Sequence, residues 1–328
     1  MKNKNSLIKK PNAFLKVLEW IGLSLVALVL LGFIYEQISE YCDKKTLKAS
    51  GQMIQVGDHK MHIYCTGENK SGSPTVILEA GAGNFYVTWS KIQPAISKET
   101  KVCSYDRAGL GFSEDGRDKS IKEVAANLHG LLQGSGITGD MILVGHSIGG
   151  AYARVYYGKY PDNIRSLVLI DPAEEHMAEY IINNISPIGQ QILNNLLYFG
   201  SYFGLGRLAD TVNPYLLSPS YRSISKNDRK LIHALGTKPK SVHNALYEGS
   251  YNSAKSSLPA LREVEKIKVP VIVLGADYLG EYTACQNGHK ELANRSPFGE
   301  CVLVKDTNHY IQIDQPEIVI EKIKELLK

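Results

Sequence analysis

One short segment constrains the fold of this chain more than any other: Val144-Gly145-His146-Ser147-Ile148-Gly149-Gly150. It follows the apolar run 141–144 and precedes a helix-like run, 151–157. A Gly-x-Ser-x-Gly pattern between a strand and a helix is typical of a sharp turn that holds its serine in a strained backbone conformation. Such a turn lifts the hydroxyl clear of the sheet edge. We therefore predict that Ser147 is a nucleophile, with a purely structural turn as the alternative.

Short β-branched runs alternate with helix-like stretches on both sides of this turn. An antiparallel pair of strands is expected at 53–56 and 61–65. Further strands are expected at 75–80, 102–105, 141–144, 166–170, 269–274 and 301–304. This alternation favours an α/β fold whose sheet is mostly parallel and covered by helices on both faces.

The alternation stops between about residues 173 and 261, where only helical character is visible. We expect this insertion to form a helical cap over the carboxyl edge of the sheet. One part of it is rich in apolar residues: Ile192, Leu193, Leu196, Leu197, Tyr198, Phe199, Tyr202, Phe203 and Leu205. The pattern favours a cap helix packed on the core, and a lipid-facing entrance is the alternative.

The N-terminal region differs in composition from the rest of the chain. Residues 1–16 form a basic tail, and residues 17–35 are almost wholly apolar. A bilayer-crossing helix needs ~20 such residues. We expect a transmembrane anchor at 17–35, a polar linker at 36–50 and a folded domain at 51–328. A cleaved signal peptide is the alternative for the apolar segment. The lysines before the span favour an extracytoplasmic position for the domain.

Charge and cysteine usage argue against several classes of function. The net charge of +4 includes no basic stripe, so no nucleic-acid partner is expected. The five cysteines show no CxxC spacing, so no metal site is expected. Cys65 and Cys103 end apolar runs and are predicted to be buried thiols. A bond between Cys285 and Cys301 would need an oxidising compartment and stays open.

A serine hydroxyl is a weak nucleophile that needs a base, and the base needs an acid to orient it. Of the nine histidines, His309 alone follows the last strand, and loops at strand carboxyl ends collect active sites in open α/β sheets. We predict that His309 is the base. Asp171 and Asp277 both follow strands between Ser147 and His309, which is the usual chain order for the acid. Position in the chain does not separate these two.

An oxyanion hole requires two N–H donors aimed at one point. The N–H of Ile148, at the start of the helix after the turn, is one candidate. The lean loop Ala80-Gly81-Ala82-Gly83 offers the N–H of Ala82 as the second. A plain tight turn is the alternative for that loop.

Taken together, four segments resemble the α/β-hydrolase superfamily: 79–83, 105–113, 145–150, and Asn308-His309 with Asp314-Gln315-Pro316. The resemblance implies Ser147 as nucleophile, His309 as base and the insertion as a cap over the pocket. The sequence departs from the superfamily pattern at the oxyanion loop, which commonly reads His-Gly. It also departs at the acid, which commonly lies two residues further beyond its strand than Asp277. Asp171 stands at the alternative acid position of some members and is therefore preferred.

The resemblance implies a serine hydrolase that cleaves small-molecule or lipid esters through an acyl-enzyme, without cofactor or metal, and the apolar segment 17–35 adds the expectation that it is anchored in a membrane. Haloalkane dehalogenases and epoxide hydrolases of this superfamily use a carboxylate nucleophile, so the serine argues against both. An acyltransferase, an amidase and a non-catalytic binding module on the same scaffold are the alternatives. The oligomeric state stays open.

Overall fold

The computed structural model describes residues 13–70, 72–213, 219–277 and 283–328. Eight strands form one sheet in the order β1-β2-β4-β3-β5-β6-β7-β8. Their bounds are Gln52–Val56, His59–Thr66, Thr75–Glu79, Val102–Tyr105, Met141–His146, Ile164–Ile170, Val271–Ala276 and Gly299–Val304. The β1–β2 and β2–β4 pairs are antiparallel and the other pairs are parallel. The predicted mostly parallel sheet is confirmed.

Thirteen α-helical segments are found in the described residues. Helices α1 to α7 are Ala13–Thr46, Gln93–Ile96, Ile121–Gly134, Ile148–Lys159, Glu175–Asn184, Pro187–Ser201 and Leu205–Val212. Helices α8 to α13 are Lys226–Gly236, Pro239–Glu248, Tyr251–Arg262, Thr283–Ala293, Ile311–Asp314 and Pro316–Glu325. Helices α5 to α10 follow one another between β6 and β7, in the interval where the sequence indicated a helical insertion.

Helices cover both faces of the sheet because successive strand side chains point to opposite sides. Met141 and Leu143 of β5 belong to a core shared with α3 and α4. Ile142 and Val144 belong to the opposite core, which includes Trp89 and residues of α13. A strand buried on both faces explains the uninterrupted apolar run before Ser147.

The N-terminal helix is longer than the expected anchor. Helix α1 is continuous from Ala13 to Thr46, so most of the expected polar linker at 36–50 is helical. The polar side chains in this segment do not interrupt the helix, and one of them, Glu36, is fully buried. Within the described part of the chain, α1 is the one helix long and apolar enough to cross a bilayer.

The cysteine prediction also needs correction. Cys65 and Cys103 are joined by a disulfide rather than being two buried thiols. They stand opposite each other where β2 pairs with β4, a contact between strands that are not consecutive in the chain. Cys301 is a free thiol, and the side chain of Cys285 lies outside the described residues.

The apolar part of the cap does not pack on the core as expected. Ile192, Leu193, Leu196, Leu197, Phe199 and Leu205 are all exposed. Their helical spacing was visible in the sequence, but spacing alone does not state which side of a helix faces the protein.

Candidate active site

Ser147 lies in the strained turn between β5 and α4. Its φ is +56°, in the left-handed region that residues other than glycine rarely adopt. A Cβ at Gly145 would lie 2.5 Å from the carbonyl oxygen of Gly149, and a Cβ at Gly149 would lie 2.5 Å from that of Glu79. Both positions therefore require glycine, which explains the Gly-x-Ser-x-Gly spacing.

His309 contacts Asp171 at the carboxyl edge of the sheet. Its Nδ1 lies 2.5 Å from Asp171 Oδ2, while Oδ1 of Asp171 accepts a hydrogen bond from the N–H of Ala276 at 3.0 Å. Burial raises the pKa of Asp171, but the hydrogen bond and charge of His309 outweigh it, so the pKa of Asp171 lies below its ordinary value. The carboxylate can thus remain ionised and hold a proton on His309 Nδ1.

Of the two candidate acids, Asp171 is the one that the structure brings against His309. Asp171 follows β6 directly and has a φ of +41°. Asp277 follows β7, where its backbone N–H donates to the carbonyl oxygen of Val304 at 3.0 Å. The preference for Asp171 agrees with this geometry.

His146 holds the loop that carries His309. Nε2 of its buried ring lies 2.8 Å from the carbonyl oxygen of His309. The ring centroids of the two histidines are 4.6 Å apart. Burial and the neighbouring His309 lower the pKa of His146 to about 3. A neutral ring that donates through Nε2 fits this contact. His146 is therefore placed to position His309 rather than to act as the base.

The loop 80–83 packs directly on the serine turn. A Cβ at Gly81 would lie 2.7 Å from His146 Nδ1 and 3.2 Å from Ser147 Cβ. The side-chain amide of Asn84 donates to the carbonyl oxygen of Ala82 at 3.0 Å, and the hydroxyl of Tyr221 donates to Asn84 at 2.6 Å. This loop is therefore fixed both by the turn and by the cap.

The two candidate oxyanion donors make no hydrogen bond to the described part of the protein. Among the described residues, no group accepts a hydrogen bond from the N–H of Ala82 or of Ile148. Ile148 is the first residue of α4, where backbone N–H groups have no partner within the helix. Both donors are thus available to an external oxygen beside Ser147.

A buried arginine fixes the direction of the Ala82 N–H. Arg107 donates to the carbonyl oxygens of Ala80 at 2.5 Å and Gly81 at 2.7 Å. In a trans peptide the carbonyl oxygen and the N–H point to opposite sides. Because the Gly81 oxygen points at Arg107, the N–H of Ala82 points away from it. The structure contains no cis peptide in the described residues.

Two glutamates hold Arg107 in this position. Its guanidinium contacts Glu79 of the core at 2.5 Å and Glu248 of the cap at 2.7 and 2.8 Å. Glu248 also accepts the N–H of Gly83 at 2.7 Å, so one cap side chain contacts both the arginine and the loop. Burial raises the pKa of Glu79 to about 7, although Arg107 acts in the opposite direction.

Asp106 braces the loop that follows β4. Its carboxylate accepts the N–H groups of Tyr86 at 2.8 Å and Phe112 at 2.9 Å, and it lies 2.9 Å from Nδ1 of His62. Its side chain is fully buried. These contacts fix the loop after β4 and supply no group to the serine.

An apolar pocket with a cavity volume of about 50 Å³ lies beside Ile148, between the core and the cap. Its walls include Ala151 of α4, Met177 and Ile181 of α5, and Ala254 of α10. A largely apolar pocket next to a candidate oxyanion donor can receive a small apolar group of a substrate. In the described ranges, no group of three or more His, Cys, Asp or Glu side chains is arranged to hold a metal ion.

Several site residues were not found from the sequence. Glu248 and Tyr221 come from the cap, 165 and 137 residues away from the loop groups they contact. No local pattern relates positions so far apart. His146 stands next to Ser147 in the sequence, but its contact with the His309 carbonyl forms only when the sheet brings the two loops together.

Comparisons with known proteins agree with this architecture. A family model described as the alpha/beta hydrolase fold matches residues 74–316. YbdG of Bacillus subtilis (strain 168), an uncharacterized protein, is 26% identical in an alignment that covers 95% of this chain and 98% of YbdG. Lipase 3 of Moraxella sp. (strain TA144) is 27% identical over 224 residues, 66% of this chain and 69% of the lipase.

Solved structures show the same fold. A thermophilic esterase from Thermogutta terrifontis superimposes with a TM-score of 0.62 at 22% identity, covering 85% of this chain and 100% of the esterase. At that identity the likeness concerns the fold alone. The match of the family model, however, spans well over half of the sequence. This chain therefore belongs to the family of proteins with the alpha/beta hydrolase fold.

Proposed function

We propose that this protein is a membrane-anchored serine hydrolase that cleaves carboxylic esters. The observation that carries the proposal is the contact of His309 with Asp171, on the same sheet edge as the strained Ser147. The three residues follow β8, β6 and β5, whose carboxyl ends meet at that edge. In a Ser-His-Asp triad, an ionised carboxylate orients the histidine, and the histidine acts as the base for the serine.

The proposed reaction has two acyl-transfer steps. His309 takes the proton of the Ser147 hydroxyl as the oxygen attacks the ester carbonyl carbon. The carbonyl electron pair moves onto oxygen, and the N–H groups of Ala82 and Ile148 donate hydrogen bonds to that oxyanion. When the intermediate collapses, the alcohol leaves with the proton from His309 and the acyl group stays on Ser147. Water then loses a proton to His309 and attacks the acyl-serine. As this second intermediate collapses, His309 returns the proton to the Ser147 oxygen and the acid leaves.

Asp171 and Arg107 keep this machinery oriented. The carboxylate of Asp171 accepts the Nδ1 proton of His309, which leaves Nε2 free to exchange the catalytic proton. Arg107 holds the carbonyl of Gly81, so that the Ala82 N–H is directed before the substrate arrives. Preorganised donors are effective because they need not reorganise when charge develops.

Esters with an apolar acyl part are the substrate class that the cavity favours. The wall residues Ala151, Met177 and Ile181 offer carbon surface to a chain bound beside Ile148. The serine at position 147 argues against the carboxylate-dependent epoxide and dehalogenation reactions of the superfamily. The chemistry described above needs neither a metal nor an organic cofactor.

The proposed location is a membrane, with the catalytic domain on its extracytoplasmic side. Helix α1 has the length and hydropathy for a single span, and none of its most apolar window is buried by the protein. The Cys65–Cys103 disulfide supports the outer side, because structural disulfides persist in oxidising compartments. The lysines before the span support the same orientation.

Hydrolysis of a p-nitrophenyl ester series, from acetate to palmitate, tests this proposal. The full-length protein in detergent is compared with Ser147→Ala, His309→Ala and Ser256→Ala, the last being a matched serine control on α10. We expect the first two variants to lose activity by more than a thousandfold, roughly the loss seen for serine–histidine triads, and the control to keep it. Activity that survives Ser147→Ala contradicts the mechanism. Inactivity of the folded wild type toward esters moves the assignment to an amidase, an acyltransferase or a binding module.

A further inference from the structure

The carboxyl half of helix α1 is joined to the cap by buried ion pairs. Arg207 of α7 lies 2.8 Å from Glu36 and 2.9 Å from Asp43, both on α1. Glu36 is fully buried and Arg207 is nearly so. Breaking a buried pair leaves an uncompensated charge, so this joint resists separation.

On the N-terminal side of Glu36, α1 also packs closely against the cap. A Cβ at Gly32 would lie 2.7 Å from the carbonyl oxygen of Phe203, and a Cβ at Gly204 would lie 2.7 Å from the Tyr35 ring. The ring centroids of Phe33 and Phe203 are 6.5 Å apart. The end of α1's apolar segment therefore stands against the turn between α6 and α7.

Helix α6 carries its apolar side chains on the outside. Ile188, Ile192, Leu196 and Phe199 are spaced by three or four residues, which places them on one face of the helix. They are 74%, 57%, 65% and 64% exposed. We call these four residues the apolar stripe. Leu205, Leu208 and Val212 of α7 are exposed as well.

Two polar side chains of α6, Gln190 and Asn194, point inward, while Gln191 and Asn195 hydrogen-bond each other on the exposed side. Gln190 accepts the N–H of Tyr251 at 2.6 Å, and the amide of Asn194 lies 3.4 Å from the carbonyl oxygen of Leu246. A surface helix of a water-soluble protein has the reverse arrangement, with its apolar face toward the core. The outward apolar face is therefore arranged for a non-aqueous neighbour.

The apolar stripe is continuous with α1. The ring of Phe199 lies 4.9 Å from that of Phe203, which in turn contacts Phe33. Phe33 lies close to the end of α1's apolar segment, and Glu36 is the first charged residue beyond it. If α1 spans a bilayer, the stripe begins at the level where the hydrocarbon layer ends.

The absence of charge on α6 indicates which kind of lipid surface the stripe fits. Residues 187–206 contain no charged side chain. Interfacial helices that bind anionic lipids carry Lys or Arg on their polar face, and α6 has none. The stripe thus matches the acyl-chain boundary of a bilayer without requiring lipid of a particular charge.

We propose that the apolar stripe and the exposed face of α7 are embedded in the boundary layer of the same bilayer that α1 spans, so that the cap takes esters with apolar chains directly from the membrane. The delivery of substrate rests on the proposed ester hydrolysis, whereas the placement of the stripe rests only on the proposed membrane anchor. Burial of the stripe among acyl chains removes the cost of exposing it to water.

Fluorescence quenching by lipids tests the placement without using activity. Cys42, Cys285 and Cys301 are replaced by serine, and a polarity-sensitive fluorophore is attached to Leu196→Cys in one variant and to Glu317→Cys on α13 in a control. The full-length protein is reconstituted into phosphatidylcholine nanodiscs with brominated acyl chains. We expect a blue-shifted, strongly quenched label at residue 196 and an unquenched label at residue 317.

Two outcomes overturn the placement. One is a label at residue 196 that is as water-exposed and unquenched as the label at residue 317. The other is protection at residue 196 that disappears when each nanodisc contains a single chain, which would assign the stripe to a second copy of the protein.

A kinetic comparison tests the delivery of substrate. The double variant Ile192→Ser/Leu196→Ser is expected to hydrolyse p-nitrophenyl palmitate dissolved in vesicles roughly tenfold more slowly, because the cap loses apolar contact with the bilayer. Its hydrolysis of water-soluble p-nitrophenyl acetate should be unchanged. Equal losses on both substrates contradict delivery from the membrane. Inactivity of the wild type on both esters would instead contradict the proposed function and leave the quenching result valid.

Discussion

The guanidinium of Arg107 donates a hydrogen bond to the carbonyl oxygen of Gly81 at 2.7 Å, and this contact directs the next N–H, that of Ala82, to the opposite side. The same guanidinium is bound by Glu248, which belongs to the cap. The geometry of the proposed oxyanion hole therefore depends on a residue that touches neither the substrate carbonyl nor Ser147.

Glu248→Gln should lower kcat for ester hydrolysis by roughly tenfold and change KM little, because a displaced donor loses stabilisation that exists only in the transition state. Steady-state kinetics with p-nitrophenyl butyrate measures both constants. Glu263→Gln is the matched control, since that glutamate forms an exposed pair with Lys122. A kcat for Glu248→Gln equal to that of the control would show that the cap contact does not position the loop.

Asp171→Asn should reduce kcat by about 10⁴-fold, the magnitude known for loss of the triad carboxylate, because an amide favours the wrong tautomer of the base. Asp277→Asn should remain close to the wild type. The two variants make the same chemical change at neighbouring strand ends, so they separate the candidate acids. A severe loss in Asp277→Asn with an active Asp171→Asn would reverse the assignment.

His146 should make the folded state less stable at mildly acidic pH. Its pKa is lowered from 6.5 to about 3 by burial and by His309. A depressed histidine pKa contributes stability that is complete above the unfolded-state value and is lost as the pH falls below it. Between about pH 7.5 and pH 5, this residue should reduce the free energy of unfolding by about 2 kcal/mol.

Urea unfolding of the wild type and of His146→Gln, both in detergent, measures this difference. The glutamine amide can still donate to the His309 carbonyl but does not titrate. Trp89, which is fully buried, reports the transition by fluorescence. The variant should lose about 2 kcal/mol less than the wild type over that pH interval. Parallel losses in both proteins would exclude His146 as the titrating group.

Cys65 and Cys103 should resist thiol reagents until the protein is denatured and reduced. Labelling the unfolded protein with a maleimide-linked polymer, before and after reduction, should show two additional labelled sites after reduction. Cys65→Ser/Cys103→Ser should show no additional site and should unfold more easily by about 4 kcal/mol, given the 38-residue separation of the cysteines. Complete labelling of the unreduced wild type would contradict the disulfide and weaken the extracytoplasmic assignment.

Features set by local sequence were predictable, and features set by distant contacts were not. Ser147 and the strands around it follow from a glycine-flanked turn and from β-branched runs. His309 follows from its place after the last strand. The disulfide, by contrast, depends on the pairing of β2 with β4, although β3 lies between them in the chain.

The cap shows the same limit. Its helices were visible as periodic stretches, but the sequence did not state that α6 turns its apolar face outward or that Arg207 contacts Glu36. Glu248 is one of many glutamates and lies far in sequence from Gly83, so its contact with the loop has no local signal. These contacts arise from packing between elements, which periodicity does not encode.

Mass spectrometry after treatment with a fluorophosphonate tests most directly that Ser147 is the nucleophile. This reagent phosphonylates an activated serine by displacing fluoride, so it requires no knowledge of the natural ester. The full-length wild type should gain one phosphonyl group, located on Ser147 by peptide mapping, while Ser147→Ala and His309→Ala should gain none. Absence of modification in the folded wild type, or modification of a serine other than Ser147, would contradict the account.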